Sequence, residues 1–178
     1  MDSSELDRYM KMGLALRAAL DKEPKLYECH LIKRGKDQAP YLFRYYLSGT
    51  PGEGSAVYLH RMVASDPDAK LHDHPWEEST SVVIAGRYIE QRANGAIRVL
   101  GPGDVNIIRG TDFHRVLIEP QMEAWSLFLH GPRTKTWGFM DENTGEYYEV
   151  KARLKDQPEG RLVPRTDLPD IPGRRVAR

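Results

Sequence analysis

The sequence predicts an all-β domain, a sandwich or barrel, with one N-terminal α-helix and an extended C-terminal arm. Three observations predict it. Between residues 26 and 151 the chain breaks into ten short segments rich in Tyr, Val, Ile, Leu and Phe, separated by Gly, Pro, Asp and Asn. No helical spacing lies between these segments to support alternating strands and helices. The length of 178 residues suits one domain with a core of its own.

The helix is expected from Ser4 to about Lys22, where Leu6, Tyr9, Met10, Leu14 and Leu20 recur at helical spacing behind an SSEL start suited to N-capping; Pro24 ends it. Its apolar stripe is expected to pack on the outside of the domain rather than to hold a cofactor. The strands are expected over 26–34, 41–48, 56–63, 79–91, 96–100, 105–109, 114–119, 123–131, 134–140 and 146–151. The breaks include SGTPGEG, SDPDAK, RANGA, GPGD and DENTG. From Lys151 onward four prolines fall between residues 158 and 172, and eight lysines and arginines stand against four aspartates and glutamates. This composition predicts a solvated basic arm. The expected organisation is therefore 1–25 helix, 26–150 barrel and 151–178 arm.

Lysine plus arginine number 26, as do aspartate plus glutamate, so no global field favours nucleic acid or a membrane surface. No apolar run approaches the ~20 residues that span a bilayer, and the charged start lacks the pattern of a signal peptide. The single cysteine, Cys29, has no internal disulfide partner. A soluble cytoplasmic protein is expected, with a small-molecule substrate, no nucleic-acid or membrane partner, and a homodimer as the candidate assembly.

The densest chemistry lies in LHDHPWEEST, Leu71 to Thr80. Side chains alternate along an extended segment, so His72 and His74 share a face, and position 78 shares their parity. Glu78 is the first candidate carboxylate on that face. Glu77 is the second, if Pro75 introduces a bulge; Asp73 is expected to face outward. A third histidine, His114, follows forty residues after His74, delivered by GPGDVNIIRGTDFH. Three imidazoles and a carboxylate form a borderline-soft set suited to Fe(II), Mn(II), Ni(II) or Zn(II), with a position left open for water, oxygen or substrate.

HDHPWEESTSVVIAG and PGDVNIIRGTDFH resemble the two motifs of the cupin superfamily, through His72, His74, Glu78 and Gly86 in the first and Gly103 and His114 in the second. Gly86 comes one residue later than in the usual motif, and Arg109 stands where proline is common. The resemblance covers about residues 40 to 140. It implies a double-stranded β-helix barrel with one divalent metal at its mouth, on His72, His74 and His114 with Glu78 as fourth ligand. SDPDAKLHDHPW, FHRV and AWSLFLHGPRTKTWGF are similar to a group of small bacterial and phage cupins. The HDH followed by VIAG is also similar to thiol dioxygenases, whose iron is held by three histidines without the glutamate; Glu78 then either binds metal or orients a ligand.

Arg44, Arg61 and Arg109 sit in otherwise apolar strands, where a guanidinium is costly unless paired or given a substrate carboxylate to clamp. With Trp125 and Tyr58 they are the candidate substrate-binding residues. Glu77, if not a ligand, is the candidate general base, with Glu78 beside it. His30 and His130 read as structural, and His60 lies on a strand leading into the site. No phosphate-cradling glycine loop, GxSxG or CxxC is present. The expected function is a mononuclear non-haem Fe(II) dioxygenase or related oxygenase acting on a small polar metabolite. The alternatives are a metal-assisted isomerase, epimerase or lyase, and a non-catalytic metal- or small-molecule-binding module.

Overall fold

The computed structural model describes residues 2–24, 27, 29–34, 39–50, 53–66 and 70–150. One helix, α1 (Ser3–Lys22), precedes twelve strands: β1 (His30–Arg34), β2 (Ala39–Thr50), β3 (Glu53–Met62), β4 (Leu71–His72), β5 (Glu78–Gly86), β6 (Tyr88–Arg92), β7 (Ile97–Leu100), β8 (Val105–Arg109), β9 (His114–Leu117), β10 (Ala124–His130), β11 (Gly138–Met140) and β12 (Tyr147–Glu149). They form two six-stranded sheets with orders β1-β2-β3-β10-β5-β8 and β12-β11-β4-β9-β6-β7. All the pairings are antiparallel. Residues 151–178, where the arm is expected, lie outside the described residues.

The central strands of the first sheet are buried on both faces, β10 almost throughout, which is why they read as nearly continuous apolar runs, whereas the outer face of the edge strand β8 is exposed at Val105 and Ile107. On its outer face Tyr45, Leu47, Val57, Leu59, Val82, Ile84, Trp125, Leu127 and Leu129 form one cluster with Tyr9, Leu16 and Leu20 of α1. The helix is capped by Asp2, whose side chain accepts from the Glu5 amide. Its buried positions are Tyr9, Gly13, Leu16 and Leu20, a spacing of four, three and four residues. Leu14, expected in the stripe, is exposed, because the apolar face is centred instead on Gly13 and Leu16. A side chain at Gly13 would meet Leu127 Cδ2 at 3.0 Å, so the missing Cβ is what lets the helix lie close on the sheet.

The inner face of the first sheet looks toward the second. One inner cluster joins Met62, Val83 and Ala124 to Tyr88, Leu100 and Ile118, and another gathers Ala56, Tyr58, Ile108 and Phe128 with Tyr46 and Trp76 packed against them. Register carries this parity along the sheet: Arg44 pairs with His60 and Tyr46 with Tyr58 across β2 and β3, and His60 pairs with Ser126 and Tyr58 with Phe128 across β3 and β10.

The segment expected as one strand over 79–91 is two strands, divided at Gly86. This glycine has φ +67°, and a Cβ there would lie 2.0 Å from the Glu123 carbonyl oxygen. The turn it makes transfers the chain from the first sheet to the second. β4 is too short to stand out in the sequence. Among the described residues no helix is long and apolar enough to cross a membrane.

Replacing Gly86 by alanine is expected to cost about 3 kcal/mol or more, since backbone strain is joined by a clash with main chain that has no room to move. Gly95→Ala, also at positive φ (79°) but with open space around it, is expected to cost only the strain, about 1 kcal/mol. Urea unfolding midpoints of the two variants compare these values directly.

Candidate metal centre

The short β4 and β9 place His72 directly opposite His114, and the side chains of such a pair stand on one face within reach of each other. Their rings lie 4.7 Å apart between centroids, and the ring of His74, two residues beyond His72, is 5.0 Å from that of His114. His74 Nε2 and His114 Nε2 are 2.8 Å apart. One ligand atom from each of His72, His74 and His114 falls within 4.8 Å of the others. The three residues can hold a metal ion.

The protonation of this group favours metal binding. His114 Nδ1 is 2.9 Å from Glu90 Oε1. An ionised carboxylate only accepts, so Nδ1 carries the proton and Nε2 keeps its lone pair for a metal. Burial by itself would raise the Glu90 carboxyl, but hydrogen bonds from His114, Arg92 and Asn106 outweigh it and lower the group to about 2. The geometry is explicit: Asn106 Nδ2 donates at 2.8 Å and Arg92 Nε at 3.0 Å to the two Glu90 oxygens. Glu90 is fully buried, and Arg98 approaches it at 3.7 Å. At His72 a second carboxylate, Asp66, comes within 3.5 Å of Nδ1. His74 is held well below the usual histidine range by burial first, then by the charges of His114, His72 and Arg44. A neutral imidazole is the ligand form. Nitrogens ~2.0–2.1 Å from one ion at adjacent positions sit about 3 Å apart, close to the spacing of His74 and His114. The donor set therefore fits a first-row divalent metal.

The carboxylates expected beside the histidines are elsewhere. Glu77 and Glu78 are exposed and line a surface depression with Arg109, Gly131, Pro132 and Thr134. Glu78 falls outside the histidine group because parity is not carried from β4 to β5. Residues 73–77 run between strands, interrupted by a bridge from Trp76 to Arg133. Within β5, Ser79, Ser81 and Val83 take the inner parity, and Glu78 shares the outer parity of Val82 and Ile84. Asp73, expected outside, is buried: it pairs with Lys135 and accepts from the Gly138 amide at 2.7 Å, anchoring β11 beside β4.

The substrate-binding candidates divide between faces. Arg44 and Tyr58 lie on the inner face. Arg61 and Trp125 lie on the outer one, where Arg61 pairs with Glu123 at 2.7 Å and Trp125, stacked on Tyr45, belongs to the cluster under α1. Arg109 is exposed at the depression.

His130, expected to be structural, and His60 share the inner wall with Arg44 and Tyr58. His130 Nδ1 donates to the Gly131 carbonyl at 2.7 Å, which leaves Nε2 to accept the Tyr58 hydroxyl at 2.6 Å. Arg44 Nε donates to His60 Nε2 at 3.0 Å. Trp76 stacks on His130 and on His74, and Phe128 flanks His74. Glu90 was readable in principle. In RYIEQR it shares the parity of Tyr88, so an acid occupied a position that the strand buries.

No family model and no curated protein matches the chain. Among solved structures it is similar to a sugar phosphate isomerase of the cupin superfamily from Silicibacter pomeroyi, at 18% identity and TM-score 0.51 over 70% of this chain and 88% of that one. A protein with a double-stranded β-helix domain from Klebsiella pneumoniae matches at 19% identity and TM-score 0.45 over 61% of this chain and 90% of that one. A DMSP lyase from Ruegeria pomeroyi matches at 23% identity and TM-score 0.49, over 59% of this chain and 56% of the lyase. The likeness at TM-score 0.51 shows the fold, a double-stranded β-helix of the kind found in cupins; the N-terminal helix is packed on its first sheet.

Because Glu90 titrates near 2 in the fold against 4.5 ordinarily, its contribution to stability is complete above the ordinary value and is lost as the pH falls toward 2. Glu90→Gln is expected to destabilise the metal-free protein by roughly 3 kcal/mol near neutrality. The difference from wild type narrows on acidification, as read from urea midpoints at descending pH. The same variant is expected to bind divalent metal roughly 10- to 100-fold more weakly.

Proposed function

We propose that the protein is a metal-dependent enzyme of the cupin superfamily, akin to small bacterial and phage cupins carrying HDHPW, and that it works as a mononuclear non-haem Fe(II) oxygenase on a small polar metabolite. The observation that carries the reading is the group of three imidazoles, with nitrogens close enough to share one ion and, among the described residues, no carboxylate in the group. A bound divalent metal supplies Lewis acidity there and, as Fe(II), electrons toward dioxygen.

The chain's own residues prepare that centre. Glu90 fixes the tautomer of His114 and holds its ring against rotation. Phe128 and Trp76 flank His74 with apolar surface and limit its exposure to water. Arg44 and Tyr58 offer a cation and a hydroxyl-bearing ring on the same face, suited to orienting a polar substrate beside the metal. Glu77 and Glu78, exposed on the outer side, take no part in this reading.

Protein purified without added metal is expected to hold about one iron per chain by elemental analysis, with His72→Ala and His114→Ala each lowering occupancy at least ~10-fold. An oxygen electrode is expected to register uptake with one class among amino acids and thiols. Zinc with no uptake would replace the oxygenase by a metal-assisted isomerase, epimerase or lyase, and a metal-free protein unaffected by these substitutions would make the barrel a non-catalytic binding module.

A further inference from the structure

Arg44 is half-buried on the inner face of β2, and its surroundings are unusual for a guanidinium. Nε is used by His60 Nε2, and the guanidinium carbon lies 4.6 Å over the Tyr58 ring. Neither partner carries negative charge, since the hydrogen bond requires a neutral His60 and burial raises the Tyr58 hydroxyl above its ordinary value. Among the described residues Arg44 has no carboxylate partner, and its two Nη groups have no protein acceptor yet are not sealed from solvent. The described acids nearest the histidines are committed elsewhere: Glu90 to Arg92, Arg98, Asn106 and His114, Asp66 to His72 and the Val116 amide, Asp73 to Lys135 and the Gly138 amide. The other inner-wall groups are satisfied as well, with Tyr58 given to His130 and His130 to Gly131. Arg61 provides the contrast: one strand over and on the opposite face, it is neutralised by Glu123.

Leaving a part-buried guanidinium without a counter-charge is costly. The ring of His60, which holds Arg44 Nε, stacks on Phe128 at 4.9 Å, and Phe128 lies 5.7 Å from the ring of His74, which puts Arg44 on the wall that leads to the metal centre. We propose that the Nη edge of Arg44 is a carboxylate subsite and that the substrate is a small monocarboxylate, bound with its carboxylate on Arg44 and the rest of the molecule directed toward His72, His74 and His114. This deepens the reading of the histidines as a catalytic metal centre and names the class of its substrate. The planar pair of Nη groups matches the two oxygens of a carboxylate. A phosphate dianion would leave much of its charge without donors, because the wall around Arg44 is built of neutral imidazoles and aromatic rings.

The test uses the full chain, metal-free and zinc-loaded, titrated with sodium acetate and sodium glycolate at constant ionic strength. Imidazole 1H–15N signals provide the readout, and acetamide and inorganic phosphate serve as controls. Acetate and glycolate are expected to shift the His60 signals saturably, with acetamide and phosphate at least ~10-fold weaker. Arg44→Gln is expected to lose the response by ~10-fold or more while taking up as much zinc as wild type. Arg44→Lys, which keeps the charge and safeguards folding, is expected to bind several-fold more weakly because the paired donors are gone. Equal binding of acetate by Arg44→Gln, equal binding of phosphate, or no saturable response in either metal state would overturn the proposal. Arg44-dependent acetate binding by a protein that takes up no metal would leave the subsite standing and remove the metal-enzyme reading instead.

Discussion

A carboxylate sealed inside a protein must find enough donors to replace water, and in this protein Glu90 sets the terms for its surroundings. Its donors come from three strands: Arg92 from its own strand β6, His114 from β9 of the same sheet, and Asn106 from β8 of the opposite sheet. One hydrogen-bonded group thus ties the two sheets together at the edge where β8 and β6 face each other. It also decides which nitrogen of His114 carries a proton. The joining of the sheets and the presentation of His114 are coupled through the same carboxylate.

The pleat divides labour between the two faces of the first sheet. Outer positions serve stability, holding α1 through leucines, valines and the Tyr45–Trp125 stack. Inner positions on the same strands, only one residue away, carry Arg44, Tyr58, His60 and His130. A strand buried on both faces can do both, because alternation separates the two environments by the thickness of the backbone. Arg61 and Arg44 illustrate it: the same residue type on adjacent strands is an ion pair on one side and, among the described residues, a cation without a carboxylate partner on the other.

Much of this was legible in the sequence. The helix, the strand-rich body and the three histidines follow from periodicity, turn residues and the two spaced motifs. What escaped has identifiable causes. Glu78 was assigned by counting alternate positions through residues 73–77, but that count holds only while the chain stays extended, and the Trp76 bridge and Pro75 lie within the gap. Glu90 is hidden because a buried acid is intelligible only with its donors, and beyond Arg92 these are 16 and 24 residues away in the chain. β4 has two residues, too few for any periodic signal, yet it sets His72 against His114. Gly86 was read as the end of a motif; its role as the crossing point between sheets depends on the Glu123 carbonyl, which no local pattern reveals.

The three tryptophans are distributed so that they report on different events. Trp76 stacks on His74 at 5.5 Å and Trp137 lies 6.5 Å from His72, whereas Trp125 is sealed beneath α1 with its indole nitrogen on Glu123. A paramagnetic ion bound to the histidines would quench the emission of the first two most strongly, while detachment of the helix would expose the third to water and shift its spectrum to the red. The chain therefore contains its own optical probes for loading of the site and for the integrity of its outer layer, with no added label.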